Sequence, residues 1–291
     1  MFTDLPKKHR VPFDRTFRIA DVQTTPPEDN KLDSARLKKR LKKEAKRLYD
    51  LQRVLYANDK HALLIVFQAM DAAGKDSTIR HVMRRVNPAG CQVYSFKRPS
   101  DEELDHDFLW RTSQRLPERG RIGIFNRSYY EEVLVVRVHD GILEAQKLPA
   151  DVDRDTIWED RYESIRCHEA HLARNGVVIL KFWLNVSPEE QKRRFYARLD
   201  RPEKNWKFSP SDVAERRHWD QYMAAYEQAL NATSRPWAPW YAIPADDKPY
   251  MRATVARIIR RTLDRMELGY PTVSDADLVR FEESRRLLDQ E

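Results

Sequence analysis

The feature that most constrains this chain is residues 68–78, a polar turn between an apolar run and a helical stretch. Residues 62–67 are continuously apolar, as is typical of a strand buried on both faces. Residues 77–86 have a helical pattern. Gly74 and Lys75 stand at the end of the turn, where backbone N–H groups and the helix dipole favour a bound phosphate. The sequence therefore predicts a strand, a phosphate-binding loop and a helix.

The loop departs from the usual P-loop form, because Ala69 replaces the first glycine and Asp76 follows Lys75. A plain strand–turn–helix corner is the alternative interpretation. Asp71 lies inside the loop, where an anion would repel phosphates. Its presence is explained if Asp71 binds Mg²⁺ or orients the group that accepts a phosphate.

Apolar runs and helical patterns alternate along the rest of the chain. Strands are predicted at residues 62–67, 93–96, 122–125, 177–184 and 240–244. Helices are predicted at residues 31–57, 77–86, 101–116, 158–174, 187–199 and 250–266. This alternation predicts an α/β fold with a mostly parallel sheet. Residues 1–30 are expected to form an extended N-terminal arm, and residues 31–291 a single domain.

Three further segments carry charge in patterns that allow two interpretations. Residues 126–132 follow the third strand, so Arg127 and Glu131 are either site residues or helix-cap and surface residues. Residues 193–208 are dense in cations and are either a lid over phosphates or a solvated loop. The lysines and arginines of residues 38–47 are either a solvated helix face or a path for a polyanion.

Composition limits the partners and the compartment. The formal charge of +7 arises from 53 basic and 46 acidic residues and favours anionic partners. Cys91 and Cys167 form no CxxC pair, which favours a reduced, cytoplasmic protein. The first 20 residues have no signal-peptide core, and no apolar run has the length of a membrane span. No membrane association is therefore expected.

Five segments in one order resemble the polyphosphate kinase 2 family: residues 68–79, 124–137, 199–208, 216–222 and 238–244. The resemblance covers about residues 30–270. It implies a three-layer P-loop kinase core like that of thymidylate kinase, with a five-stranded, mostly parallel sheet and a helical lid at about residues 193–222. It also implies reversible, Mg²⁺-dependent phosphoryl transfer between inorganic polyphosphate and nucleoside mono- or diphosphates, with AMP, ADP, GMP and GDP as candidates.

The resemblance also implies site residues. Catalytic roles fall on Asp71, Lys75, Asn126, Arg127 and Glu131. The implied ligands of Mg²⁺, or of Mn²⁺ in its place, are Asp71 and Glu131. Some branches have Asp where this chain has Asn126. The predicted phosphate-binding residues are Ala72, Ala73, Gly74, Lys75, Asp76, Ser77, Lys97, Arg98, Arg127, Arg193, Arg198, Lys204 and Lys207.

Two other functions compete with this one. An ATP-dependent nucleotide kinase of the thymidylate-kinase type would share the loop and the lid. A nucleic-acid-binding protein would share the positive charge, but no base-reading module is recognisable, so no nucleic-acid partner is expected. A homo-oligomer, either a dimer or a tetramer, is expected.

Overall fold

The computed structural model describes residues 1–28 and 32–291. Its centre is one sheet of five parallel strands in the order β2-β3-β1-β4-β5. The strands are β1 (Ala62–Gln68), β2 (Cys91–Ser95), β3 (Ile122–Asn126), β4 (Val177–Asn185) and β5 (Trp240–Pro244). All five predicted strands are present, and the predicted α/β fold with a mostly parallel sheet is confirmed.

Thirteen α-helices surround the sheet within the described ranges. They are α1 (Ser34–Asn58), α2 (Lys75–Val82), α3 (Asp101–Leu104), α4 (Trp110–Ser113), α5 (Glu131–Val138), α6 (Asp140–Glu144), α7 (Ile157–Arg174), α8 (Pro188–Leu199), α9 (Pro202–Asn205), α10 (Pro210–Glu215), α11 (Trp219–Thr233), α12 (Lys248–Arg265) and α13 (Asp275–Leu288). Helices α1, α2 and α12 pack together, and so do α5, α7 and α11. The two helix groups and the sheet form the three layers of the fold.

The central strand β1 places the candidate site. All seven of its residues are buried, because it is paired on both edges and covered on both faces. Phe67, near its carboxyl end, is in register with Asn126 of β3 and Phe182 of β4. Ligands of open parallel sheets bind outside the carboxyl ends of the strands. The loops after β1 and β3 therefore lie side by side at the end where a ligand is expected.

The prediction of a single helix over residues 101–116 was wrong. The structure has two four-residue helices, α3 and α4, with Asp105 as the C-cap of the first. Asp107 Oδ1 accepts the backbone N–H of Leu109 at 2.9 Å. Such local side-chain bonds compete with helical hydrogen bonds, which explains the interruption.

The N-terminal arm packs on the open edge of β5. Val11 N–H donates to the Trp240 carbonyl at 2.9 Å, and Ala242 N–H donates to the His9 carbonyl at 2.9 Å. Leu5 is among the arm residues buried in the core. Pairing of this kind removes a free sheet edge. The predicted boundary at residues 30 and 31 lies outside the described residues.

One observation bears on membranes. Among the helices of the described ranges, none combines the length and the apolar character that crossing a bilayer requires.

Candidate active site

The loop between β1 and α2 has the backbone geometry of a phosphate cradle. Ala72 and Gly74 have positive φ angles of 60° and 110°, which turn the chain sharply before α2. The first α2 residue, Lys75, is 9% exposed and donates from Nζ to the Ala69 carbonyl at 2.7 Å. Its side chain therefore folds back across the loop, so its charge faces the space that the loop encloses.

Helix α8 holds the outer side of this loop. Arg194 Nη1 donates to the carbonyls of Ala73 at 2.6 Å and Ala72 at 3.1 Å. Gln191 Nε2 donates to the Asp71 carbonyl at 2.9 Å. These carbonyls face α8. The first N–H groups of α2 lack intrahelical partners, as at every helix start. These N–H groups are suited to bind an anion.

Arg127 joins the two carboxylates of the site. It follows β3 directly, has a positive φ of 64°, and its backbone N–H donates to the Phe67 carbonyl at 3.0 Å. Its guanidinium donates to Asp71 Oδ1 at 2.8 Å and lies 3.6 Å from Glu131 Oε2. Three residues predicted from the sequence, from two neighbouring loops and the start of α5, are therefore brought into one cluster.

The pKa values of these groups diverge. Burial opposes ionisation of Asp71, but the charges of Lys75 and Arg127 outweigh it and lower the pKa of this carboxyl. Burial raises the pKa of Glu131, and the same two cations only partly offset it. Burial, with Arg127 nearby, lowers the pKa of Lys75. The pKa of Arg127 is raised, chiefly by Glu131. The cluster is thus two cations and two carboxylates that differ in proton affinity.

A buried network fixes the start of α5, where Glu131 lies. Tyr130 donates from its hydroxyl to Glu169 Oε1 at 2.9 Å, and Tyr129 does the same at 2.9 Å. Lys181 Nζ lies 2.6 Å from Glu169 Oε2 and is fully buried. Burial lowers the pKa of Lys181 to about 8. Glu169 and Lys181 could not be identified from the sequence, because neither lies in a recognisable motif.

Asn126, at the end of β3, lies beside the loop without joining the cluster. Its Nδ2 donates to Asp76 Oδ1 at 2.5 Å and to Ser95 Oγ at 3.2 Å. Its Oδ1 is buried and has no hydrogen-bond partner among the described residues. The residue therefore has one acceptor atom left for a water, a metal or a substrate.

An open cleft of about 560 Å³ lies in front of the cluster. Its lining includes Asp71, Arg127, Glu131, His139, Asp212, Glu215, Tyr222 and Tyr226, together with apolar side chains of α5. Tyr222 donates to Glu215 Oε2 at 2.8 Å, and His139 Nε2 lies 3.0 Å from the same oxygen. The cleft is therefore a mixed aromatic, apolar and acidic surface.

The lid cations occupy different environments. Arg198 donates to Asp212 Oδ2 at 2.9 Å, which ties α8 to α10 beside the cleft. Arg193 donates to Glu190 at 2.6 and 2.7 Å, with 70% of its side chain exposed, and faces away from the loop. Lys204 is half-buried on α9, and Lys207 lies over the Trp206 ring. Their roles in phosphate binding stay predictions.

Two other predicted cations lie outside the cleft lining, and their role in phosphate binding stays a prediction. Lys97 and Arg98 are exposed on the segment after β2 and are not part of the cleft lining. Of the neighbouring pair Arg193 and Arg194, it is Arg194 that contacts the phosphate loop. It was missed because charge density alone does not show which side of a helix faces the loop.

The carboxylates suit a hard divalent cation. Asp71 and Glu131 share one guanidinium and line the same cleft. Within residues 1–28 and 32–291, no group of three or more His, Cys, Asp or Glu side chains is arranged to hold a metal. Mg²⁺ typically uses one or two carboxylates, with waters and substrate phosphates completing its shell. The residues present therefore fit Mg²⁺ bound together with substrate.

Comparison with known proteins agrees with this geometry. Residues 31–270 match the family model for polyphosphate kinase 2. The chain is 55% identical over 237 residues to an ADP-polyphosphate phosphotransferase of Rhodopseudomonas palustris, covering 81% of this chain and 82% of that protein. It is 46% identical to an AMP/ADP-polyphosphate phosphotransferase of Meiothermus ruber, covering 78% and 80% of the two chains.

A solved structure extends the similarity to nearly the whole chain. The crystal structure of polyphosphate kinase 2 from Arthrobacter aurescens superposes with a TM-score of 0.87 and 36% sequence identity, covering 99% of both chains. The fold that the sequence resemblance implied, a P-loop kinase core, is thereby confirmed. The chain belongs to the polyphosphate kinase 2 family.

Proposed function

We propose that this protein transfers the terminal phosphoryl group of inorganic polyphosphate to AMP and ADP, with GMP and GDP as further acceptors. The observation that carries the proposal is the Arg127 guanidinium between Asp71 and Glu131, at the entrance of the phosphate loop. Relatives that share about half of their sequence with this chain are named for transfer between polyphosphate and ADP or AMP.

The chemistry is a displacement at phosphorus. An oxygen of the acceptor's terminal phosphate forms a bond to the terminal phosphorus of the chain, and the bridging P–O bond breaks. The polyphosphate leaves one unit shorter. A nucleotide phosphate with a second pKa of about 6 is already largely ionised at neutral pH, so its attack needs no general base. The reaction depends on alignment and on neutralisation of charge.

The chain's own residues supply both the alignment of the substrates and the neutralisation of charge. The loop N–H groups and Lys75 bind the donor phosphates, and Arg127 spans donor and acceptor because it reaches the loop and the cleft. The cleft binds the acceptor nucleotide. The lid segment α9–α10, tied to α8 through Arg198 and Asp212, limits the access of water, which would otherwise compete as acceptor.

Asp71 and Glu131 would bind Mg²⁺, or Mn²⁺ in its place, together with substrate phosphates. A bound divalent cation supplies charge neutralisation at the transferred group. Asp71, whose pKa is lowered, is ionised throughout the neutral range and is the stronger candidate ligand.

A donor–acceptor matrix tests the proposal. Purified protein is given polyphosphate or ATP as the sole donor and AMP, ADP, GMP or GDP as acceptor, and products are separated by ion-exchange chromatography. Polyphosphate-dependent formation of ADP and ATP is expected. Transfer from ATP to a nucleoside monophosphate, without any use of polyphosphate, would instead support the nucleotide-kinase alternative.

Three further properties belong to the proposal. The reaction is reversible, because a phosphoanhydride is broken and another is formed. A cytoplasmic location is supported by two free cysteines, Cys91 and Cys167. A homo-oligomeric state, dimer or tetramer, is checked by light scattering coupled to size-exclusion chromatography.

A further inference from the structure

The phosphate loop has a second flank, formed by α2 and α12, on which cations lie without partners. Thr78 Oγ1 contacts Met251 Sδ at 3.8 Å, and a Cβ on Gly74 would lie 3.3 Å from Met251 Cε. The first turn of α12 therefore packs against α2 directly beside the loop. Arg252 follows this contact in α12, and Arg80 follows it in α2.

Lys248 completes the group, because it is four residues before Arg252 and shares its helix face. We call Arg80, Lys248 and Arg252 the α2–α12 basic flank. Arg80 is exposed, and the other two are half-buried. The flank is adjacent to Arg194, whose Nη2 donates to the Ala245 carbonyl at 2.6 Å just before α12.

The flank has a charge imbalance that the protein does not satisfy internally. Arg252 Nε is buried without a hydrogen-bond partner among the described residues. Burial, then Arg80 and Arg194, lowers the pKa of Arg252. Burial, then Arg194 and Arg252, lowers the pKa of Lys248 to about 8 despite Glu190. Cations that lower one another's pKa in this way disfavour each other unless an anion binds between them.

The acid that acts on Lys248 does not cancel this charge. Glu190 accepts hydrogen bonds at 2.6 Å from both Arg193 and Arg194, so its charge is already shared by two cations. In the parts of the chain that the structure describes, Arg80, Lys248 and Arg252 form no ion pair. The flank therefore has capacity for an external anion.

The opposite flank of the loop has the reverse character. The cleft contains the carboxylates Asp71, Glu131, Asp212 and Glu215. Arg127 pairs with the first two and Arg198 with Asp212, so acidic groups outnumber these cations. A long polyanion would be repelled there, whereas a nucleotide with one or two phosphates needs only the contact at Arg127. The two flanks thus differ in the sign of their charge, and this difference assigns them to different substrates.

We propose that Arg80, Lys248 and Arg252 form a distal subsite for the polyphosphate chain, which binds phosphates behind the one that is transferred. This inference rests on the proposed function and adds a direction to it. The donor chain leaves the loop across α2 and α12, and the acceptor enters from the acidic cleft. Such a subsite strengthens binding of long chains and contributes little to short ones, which end before they reach it.

Chain-length kinetics test the subsite. The double variant Arg80→Gln/Arg252→Gln is compared with the parent, with ADP as acceptor and with long-chain polyphosphate or tripolyphosphate as donor. The KM for long chains should rise about tenfold, as expected for the loss of two favourable surface ion pairs. The KM for tripolyphosphate and both kcat values should stay within about twofold. The long-chain effect should shrink at high salt.

The matched control is Arg154→Gln/Arg286→Gln, which removes the same net charge from exposed positions outside the flank and the cleft. It should leave both KM values unchanged. An unchanged long-chain KM in the flank variant, or equal rises for long and short donors, would overturn the distal subsite. If the parent protein does not use polyphosphate at all, the proposed function itself fails, so the two failures are distinguishable.

A binding measurement without turnover covers the case in which the double variant folds poorly. His81 lies on α2, and its pKa is lowered by burial and by Arg252, Arg80 and Arg84. Long-chain polyphosphate on the flank should neutralise these cations and raise the His81 pKa in the parent, as followed by NMR with His81→Asn for assignment. No shift at saturating polyphosphate would contradict the subsite.

Discussion

Arg194 Nη1 donates a hydrogen bond of 2.6 Å to the carbonyl of Ala73, in the turn of the phosphate loop. The same guanidinium reaches the carbonyl of Ala245, so it joins the loop after β1 to the segment after β5. The loop is therefore held in shape from α8, and not only by its own glycine. Its geometry therefore depends on a residue of α8 that lies outside the loop itself.

Replacement of Arg194 should separate this positioning role from simple charge. Arg194→Lys keeps the charge but loses the fork that serves several carbonyls, so kcat/KM should fall by about tenfold or more, and stability by about 1.5–3 kcal/mol. Steady-state kinetics and thermal unfolding measure both effects. Lys192→Gln, on the exposed side of the same helix, is the control and should match the parent. An Arg194→Lys protein with parental kinetics would refute the positioning role.

Lys75→Met tests the phosphate loop itself. The variant keeps the length of the side chain but removes the charge above the phosphates, and turnover should fall at least about 100-fold. Because Lys75 Nζ also donates to the Ala69 carbonyl at 2.7 Å, a small loss of thermal stability is expected while the fold persists. Lys60→Met, an exposed change before β1, is the control. Near-parental turnover in folded Lys75→Met protein would eliminate the P-loop assignment.

The sequence predicted the sheet well, and the reason is physical. Strand β1 was predicted at residues 62–67 and spans Ala62–Gln68, because a strand buried on both faces must be continuously apolar. The edge strand β2 was predicted two residues late, since its alternately half-exposed residues lack such a run. Parallel pairing then places Asp71 and Arg127 at adjacent strand ends, although they are far apart in sequence.

The sequence could not show which way a side chain on a helix faces, or which charged residues far apart in the chain form a pair. Arg193 and Arg194 look equivalent in the sequence, yet α8 buries the second and exposes the first. Only the packing of α8 on the loop decides between them. The pair of Glu169 and Lys181 was also missed. A charged residue of α7 can be buried only because a partner on β4 neutralises it, and the sequence does not show that the two meet.

The lid cations should affect the donor more than the fold. Arg198→Ala breaks the link to Asp212, and Lys204→Ala removes a charge on α9. The double variant should have a higher KM for polyphosphate, with the larger effect at low salt, where screening is weak. Kinetics over a salt series measure this. Identical KM values for parent and variant at every salt concentration would make the segment an ordinary surface loop.

Asp71 and Glu131 should have opposite effects on stability. The folded-state pKa of Asp71 is lowered, so its ionised form stabilises the fold above the unfolded pKa, and this stability is lost as the pH falls through the folded pKa. The folded-state pKa of Glu131 is raised, so its contribution is present below the unfolded pKa and is lost as the pH rises through the folded pKa.

At neutral pH, Asp71→Asn should therefore lower Tm, whereas Glu131→Gln should leave Tm unchanged or raise it. Both variants should lose activity, because both carboxylates face the transfer point. Thermal unfolding over a series from neutral to acidic pH provides the comparison. The difference between Glu131→Gln and the parent should diminish near the unfolded pKa of Glu131, whereas that for Asp71→Asn should diminish only at lower pH, as the pH falls through the folded pKa of Asp71. A destabilised Glu131→Gln protein at neutral pH would contradict the sign derived for Glu131.

The choice of acceptor should depend on Glu131. AMP is one phosphate shorter than ADP, so its attacking oxygen must reach the same transfer point with fewer contacts behind it. Glu131 lies 3.6 Å from Arg127 at the start of α5, where it is placed to orient the shorter acceptor, directly or through a bound metal. The parent should accept both AMP and ADP, and Glu131→Asn should lower kcat/KM for AMP more than for ADP. If Glu131 only stabilises the helix start through the dipole, worth about 0.3–1 kcal/mol, both acceptors should lose equally. Equal losses with AMP and ADP, or a parent protein inactive with AMP, would exclude the acceptor role.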